Sequence, residues 1–227
     1  MKRRVDLDAI AAALRPSGLC LRGGFNVAGG ETVLAGPSGA PAKAMVLVGN
    51  AGAGYWPQFQ RWLTAQTETP ANPLDDWCRK IIGAVAEAFG AWAVSPADRP
   101  YYPFQQWAMR AEGLRASPLG VLIHPEYGLW HAYRGALLLD VEIDEALPRE
   151  VIHLCDLCVG KPCRKQCPVG AHAGEGFLYE ACLGHVRGAR GAACRDGGCL
   201  DRNACPFGEA YRYPEAVRRF HMQAFMR

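Results

Sequence analysis

The chain has 227 residues, half of them hydrophobic, and a formal net charge of +3. It is long enough to bury a real core, too mildly charged to argue for nucleic acid, and without an apolar run near the ~20 residues of a membrane span. The basic start, Met1-Lys2-Arg3-Arg4, meets Asp6 and Asp8 before an apolar stretch can form, so no secretory signal is read and a soluble, cytoplasmic protein is expected.

In chain order, Leu7–Leu14 reads as a short alanine-rich helix stopped by Arg15-Pro16-Ser17-Gly18, and residues 44–49 as a brief apolar strand. Pro73 opens a stronger helix, in which Trp77, Ile81, Val85, Phe89 and Trp92 recur every three to four residues as one apolar stripe. Cys78 beside that stripe, like Cys20 before it, reads as a small packing residue. Tyr101, Tyr102, Phe104 and Trp107 form an aromatic group that suits a core or the wall of a flat ring system. Residues 120–124 and 130–143 read as strands of a hairpin joined by Pro125-Glu126-Tyr127-Gly128. Leu147-Pro148-Arg149-Glu150 breaks the pattern and sets a boundary between an α/β domain, 1–146, and a small domain, 147–227. All six tryptophans precede that boundary, so the large core is expected before it.

Eight of the ten cysteines lie in the second part, as Cys155-x2-Cys158-x4-Cys163-x3-Cys167-Pro168, then Cys182, then Cys194-x4-Cys199-x5-Cys205-Pro206. Eight thiolates are the ligand count of two [4Fe-4S] clusters, and in two-cluster ferredoxins the cysteine before proline ligates the other cluster. By that rule Cys155, Cys158, Cys163 and Cys205 hold one cluster, and Cys167, Cys182, Cys194 and Cys199 hold the second. The loops exceed those of the compact C-x2-C-x2-C-x3-C-P run, at a cost of only about 0.6 kcal/mol per doubling of loop length. Three other readings of the thiols stay open: structural zinc, with His153, His172 and His185 nearby, a disulfide scaffold, which needs an oxidising compartment, and a single degenerate cluster. Residues 151–227 carry 11 Lys and Arg against 7 Asp and Glu, while 1–150 carry 14 against 15. Lys161, Arg164, Lys165, Arg195 and Arg202 could offset cluster charge, or form a weak docking face for an acidic redox partner protein.

The hairpin stretch, with Ile123-His124-Pro125-Glu126-Tyr127-Gly128-Leu129-Trp130-His131 at its centre and Arg134-Gly135 at its end, resembles the signature hairpin of CblC-type cobalamin-processing proteins. Asn72-Pro73-Leu74-Asp75-Asp76, Arg99-Pro100, Gln105 and Gln106 fall where similar residues occur in that family, so the resemblance spans roughly residues 15–143. It implies a nitroreductase-like α/β domain that binds cobalamin. The contacts it implies come from Gln105, Gln106, Trp107, His124, Tyr127, Trp130 and Arg134: amides for corrin amides, rings for the macrocycle, a guanidinium for carboxylate or phosphate. The cysteine segment resembles the two-cluster module of epoxyqueuosine reductases and reductive dehalogenases.

Together these resemblances imply an α+β protein, with a nitroreductase-like domain followed by a ferredoxin-like one. Single electrons would pass from the clusters to a corrinoid in cobalamin reduction or processing. Catalytic residues stay unassigned. Met109 stands where CblC-type proteins carry a histidine, Glu126 where they carry arginine, and no aspartate occurs in a Val-Asp-Ser context, so neither glutathione-dependent dealkylation nor epoxyqueuosine reduction is implied. The alternative is a ferredoxin-like carrier without a corrinoid, serving an external redox partner. Neither reading expects a nucleic-acid or membrane partner.

Overall fold

The structure, a computed structural model, describes residues 5–28, 34–144, 152–174 and 176–227. Asp6 accepts the N–H of Ala9 at 2.9 Å and so caps α1 (Leu7–Leu14), whose Ile10 and Leu14 are fully buried. β1 (Cys20–Asn26) pairs antiparallel with β2 (Ala44–Ala51), with a register shift between Leu21 and Gly24. Seven consecutive β2 residues are buried, which explains why this segment is uniformly apolar rather than alternating. After α2 (Trp56–Thr64) comes α3 (Pro73–Phe89), started by proline and by Asp75 and Asp76 in its first turn, and ended by Gly90 at φ 63°. β3 (Trp92–Val94), α4 (Phe104–Glu112), β4 (Arg115–Ala116), β5 (Leu122–Ile123) and β6 (His131–Leu139) follow. The main sheet runs β1-β2-β6-β3, with β3 antiparallel to β6, and β4 and β5 form a small antiparallel sheet of their own. The remaining elements are helices: α5 (Leu154–Leu157), α6 (Tyr179–Arg187), α7 (Ala192–Gly197), α8 (Leu200–Asn203) and α9 (Glu215–Phe225). The fold is α+β, as expected.

The chain divides into two units, one of residues 1–113 with 132–151, the other of 114–131 with 152–227. In the first, Ala44, Val46, Leu139 and Ile143 form a core against which Leu7, Leu21 and Ala91 pack. Arg22, 1% exposed, makes two 2.9 Å bonds to the Glu112 carboxylate, so the end of α4 is tied to β1 by a fork-shaped ion pair. Tyr133 donates its hydroxyl to the same carboxylate, and burial is the main cause of its raised pKa. In the second unit, Ile123, Leu129, Cys155 and Cys205 share a core with Leu119, Leu154 and Phe207. Trp130 is buried there between the Tyr213 ring, at 5.5 Å, and the Arg202 guanidinium, 4.7 Å from its centroid.

Two sequence expectations need correction. Trp92 does not continue the α3 stripe: the left-handed turn at Gly90 ends the helix, and Trp92 opens β3 with 59% of its surface exposed. The buried face of α3 is Leu74, Trp77, Cys78, Ile82, Val85 and Ala86, so Ile81 and Phe89 fall at its margin. The two expected hairpin strands do not pair with each other. β5 pairs with β4 and β6 with β3, and only the His124–Gly128 bridge closes the turn between them. The proposed 146/147 boundary lies outside the described residues. Residues 114–131, Trp130 among them, group with the cysteine-rich unit, whereas the sequence reading assigns them to the first.

Two glycines with left-handed backbones meet where the hairpin turn touches the chain after Cys205. Gly128, at φ 56°, has no room for a Cβ against the Phe207 carbonyl, and Gly208, at φ 70°, none against the Tyr127 carbonyl. Replacing Gly128 by alanine should therefore destabilise the protein by roughly 2 kcal/mol or more, through φ strain and overlap together. Gly83 on α3 faces open space, and alanine there should stabilise by up to about 1 kcal/mol. Denaturant unfolding of the two variants should move the midpoint in opposite directions; equal midpoints would contradict this packing.

Candidate metal centre

The eight clustered cysteines come from α5 and the turns after it, from within α6 (Cys182) and α7 (Cys194), and from the two ends of α8. Cys155 lies on α5, Cys163 in a 3-10 turn and Cys205 just past α8, and all three are buried. Burial pushes the Cys163 thiol up first, and its next contributors are Cys205, Cys155 and Cys158. Burial likewise leads for Cys182, pushed up to about 11, followed by Cys199, Cys167 and Cys194. The thiols nearest Cys163 and those nearest Cys182 thus make two fours, and each includes one cysteine from the other's stretch of chain. Cys167, Cys182, Cys194 and Cys199 line one small apolar recess of about 30 Å³, together with His172, His185 and Met222. All ten cysteines are unbridged in the structure. Among the described residues no three His, Cys, Asp or Glu side chains converge closely enough to hold a metal ion between them.

Backbone amides turn toward these sulfurs. The Ala171 N–H reaches Cys167 Sγ at 3.3 Å. Against the dominant upward push of burial, the N–H of Leu200 favours the Cys194 thiolate, those of Arg202 and Asp201 favour Cys199, and that of Phe207 favours Cys205. The arrangement can stabilise anionic sulfur in a site that otherwise resists it.

A buried aspartate organises the place where the chain passes between the two fours. Asp201, with no exposed surface, accepts the N–H groups of Gln166 and Cys167 on Oδ1, at 2.9 and 2.8 Å. Its Oδ2 lies 3.0 Å from His172 Nδ1. His172, a zinc-ligand candidate in the sequence, is thus engaged with a carboxylate and stacked on Phe177 at 4.9 Å. Sequence reasoning missed Asp201, whose only signal is an acid two residues after a cysteine in a basic segment.

The expected corrinoid contacts are distributed unevenly. Gln105 and Gln106 are exposed on α4, and Trp107 stacks on Tyr102 at 5.7 Å and meets Phe104 at 4.9 Å. Arg134 of β6 donates to Asn50 Oδ1 at 2.9 Å, sits 5.4 Å from the Tyr55 ring, and lines a cavity of only about 70 Å³ with Ser95 and Asp98. A larger cleft in the same unit, about 450 Å³, is lined by Asn72, Asp75, Pro96, Ala97, Arg99 and Tyr101, with the Arg99 guanidinium 3.7 Å above the Tyr101 ring. In the second unit, His124 Nδ1 accepts the N–H groups of Glu126 and Tyr127, and its ring stacks on Tyr127 at 4.0 Å. Trp130 is only 1% exposed, a core position rather than a pocket wall. The described residues do not gather these seven side chains into one pocket within either unit.

No family model matches the chain, and no curated protein does. Solved structures do. The B12-trafficking protein CblC of C. elegans aligns over 96% of this chain and 95% of its own, at 13% identity and a TM-score of 0.52, a likeness of fold. An epoxyqueuosine reductase solved with a tRNA stem loop aligns over 77% of this chain and 51% of its own, at 16% identity and a TM-score of 0.48. The Bacillus subtilis epoxyqueuosine reductase gives 16% identity and 0.47, again over half of its length. The chain therefore spans about half the length of those reductases. Among the described residues no helix is long and apolar enough to cross a membrane.

Asp201→Ala should leave the Gln166 and Cys167 N–H groups and His172 without their acceptor, at a cost on the order of 3 kcal/mol. Asp201→Asn, which keeps an acceptor at Oδ1, should lose less. Thermal unfolding of the two variants measures this order, and an alanine variant as stable as the native protein would contradict the role given to the carboxylate.

Proposed function

We propose that this chain is an iron-sulfur electron-transfer protein holding two [4Fe-4S] clusters, one on Cys155, Cys158, Cys163 and Cys205, the other on Cys167, Cys182, Cys194 and Cys199. The observation that carries the reading is that Cys167 of the first stretch lines one recess with Cys182, Cys194 and Cys199 of the second, while Cys205 of the second shares a core with Cys155 of the first, the exchange of cysteines known from two-cluster ferredoxins. When bound, such clusters supply one-electron transfer. The chain's own contribution is to exclude water with Ile123, Leu129 and Phe207 on the first four, and to aim amide N–H groups at Cys167, Cys194, Cys199 and Cys205.

The acceptor in this reading is a corrinoid held by the first unit, as suggested by the resemblance of residues 15–143 to CblC-type proteins and by the fold shared with a B12-trafficking protein. Because the seven expected contacts do not converge within either unit, no step is assigned to that ligand. The second reading, a carrier that serves an external partner without a corrinoid, draws on the same observation. An RNA substrate is not carried over from the reductases, whose likeness is weak and covers half their length.

Two experiments follow. After anaerobic reconstitution, Cys155→Ser and Cys199→Ser should each lose about half of the charge-transfer absorbance, while Cys20→Ser and Cys78→Ser keep all of it. Full iron in the first pair would overturn the ligand assignment. The EPR spectrum of cob(II)alamin should shift to its base-off form when the protein is added, and less so with Arg134→Ala. An unchanged spectrum would leave the carrier reading.

A further inference from the structure

A short apolar tip stands beside the first four cysteines. Val159 is 95% exposed and Leu157 66%, and between them lies Cys158, a member of that four. Large apolar side chains this exposed are unusual next to a buried polar centre, and their rim is cationic. Lys161 turns its ammonium back to the Cys155 carbonyl, Lys165 Nζ lies 3.8 Å from the Cβ position of Gly160, and Arg115 pairs with Asp156 at 2.6 Å. Three cations thus surround the tip against one carboxylate. The second unit as a whole carries 12 Lys and Arg against 8 Asp and Glu.

Another exposed apolar group, Phe177 and Tyr179 near the second four, is different. Its rings pack on His172, on each other and on Phe225, so it is covered in part by its own chain. Val159 is not.

We infer that the Leu157–Val159 tip is the docking point of a small acidic one-electron carrier protein, which exchanges electrons through the first four cysteines. The inference rests on the cluster reading of Cys155, Cys158, Cys163 and Cys205. Transient redox complexes bury little area, and their anatomy is an apolar centre that excludes water inside a charged rim that steers the approach. The tip has that anatomy at the shortest through-chain distance from a cluster ligand, since Leu157 and Val159 adjoin Cys158 in sequence. The step is a single electron: the carrier loses one, the protein gains one, and no bond forms or breaks.

The test uses the reconstituted full chain and a chemically reduced flavodoxin, an acidic one-electron carrier, in stopped flow. Val159→Glu and Leu157→Glu should each slow reduction by flavodoxin at least about tenfold at low ionic strength, and the native rate should fall as salt rises. Neither substitution touches a cysteine, so iron content and the rate of reduction by dithionite should stay at the native values. Native flavodoxin rates in both variants, with clusters intact, would overturn the docking point alone, as would a native rate that rises with salt. A native protein that takes up no clusters would overturn the underlying reading and the docking point with it.

Discussion

The candidate centre depends on the buried carboxylate of Asp201. It is fully enclosed, yet it satisfies two backbone N–H groups and one imidazole nitrogen, and the N–H groups belong to the residues where the chain crosses from one four of cysteines to the other. A buried charge is tolerated only when it is paired and hydrogen-bonded, so the crossover cannot move without stranding it. Cys167 keeps its place in the second four because its own N–H is held.

The same constraint explains why the thiols tolerate one another. Burial raises most of these thiols, and neighbouring sulfurs raise them further, so eight thiolates this close are unfavourable without something to neutralise them. Amide N–H groups offset part of that cost. A metal centre would offset the rest, since metal binding displaces thiol protons and its binding free energy becomes folding free energy. Packing of the hairpin turn on the segment after Cys205, through Gly128 and Gly208, then carries the order of the cysteine segment into residues 119–130.

Much of this was legible in the sequence, and the failures are as physical as the successes. The extent of α1, the start of α3 and the uniformly apolar β2 are local signals that tertiary context did not override. Trp92 was misplaced because a helical period can run past a helix end, and Gly90 was the stronger signal. The hairpin was misread because two apolar strands and a good turn specify adjacency in sequence, not pairing. β6 finds β3 instead, a partner some forty residues away in the chain. The sorting of thiols follows a spacing rule that needs no geometry. Asp201 was invisible because its role rests on burial, which no spacing reveals, and Trp130 was read as a pocket wall because an aromatic residue gives the same signal in a core.

Fold likeness and the placement of the thiols carry different weights. The first relates the chain to a B12-trafficking protein at 13% identity, a statement about architecture. The second concerns side chains that can do chemistry, and the account stands on it. Native mass spectrometry of the anaerobically reconstituted protein tests it most directly. The expected result is a mass increase of two complete four-iron, four-sulfide clusters, with an intermediate species carrying one. An increase corresponding to single iron or zinc ions, or none, would contradict it.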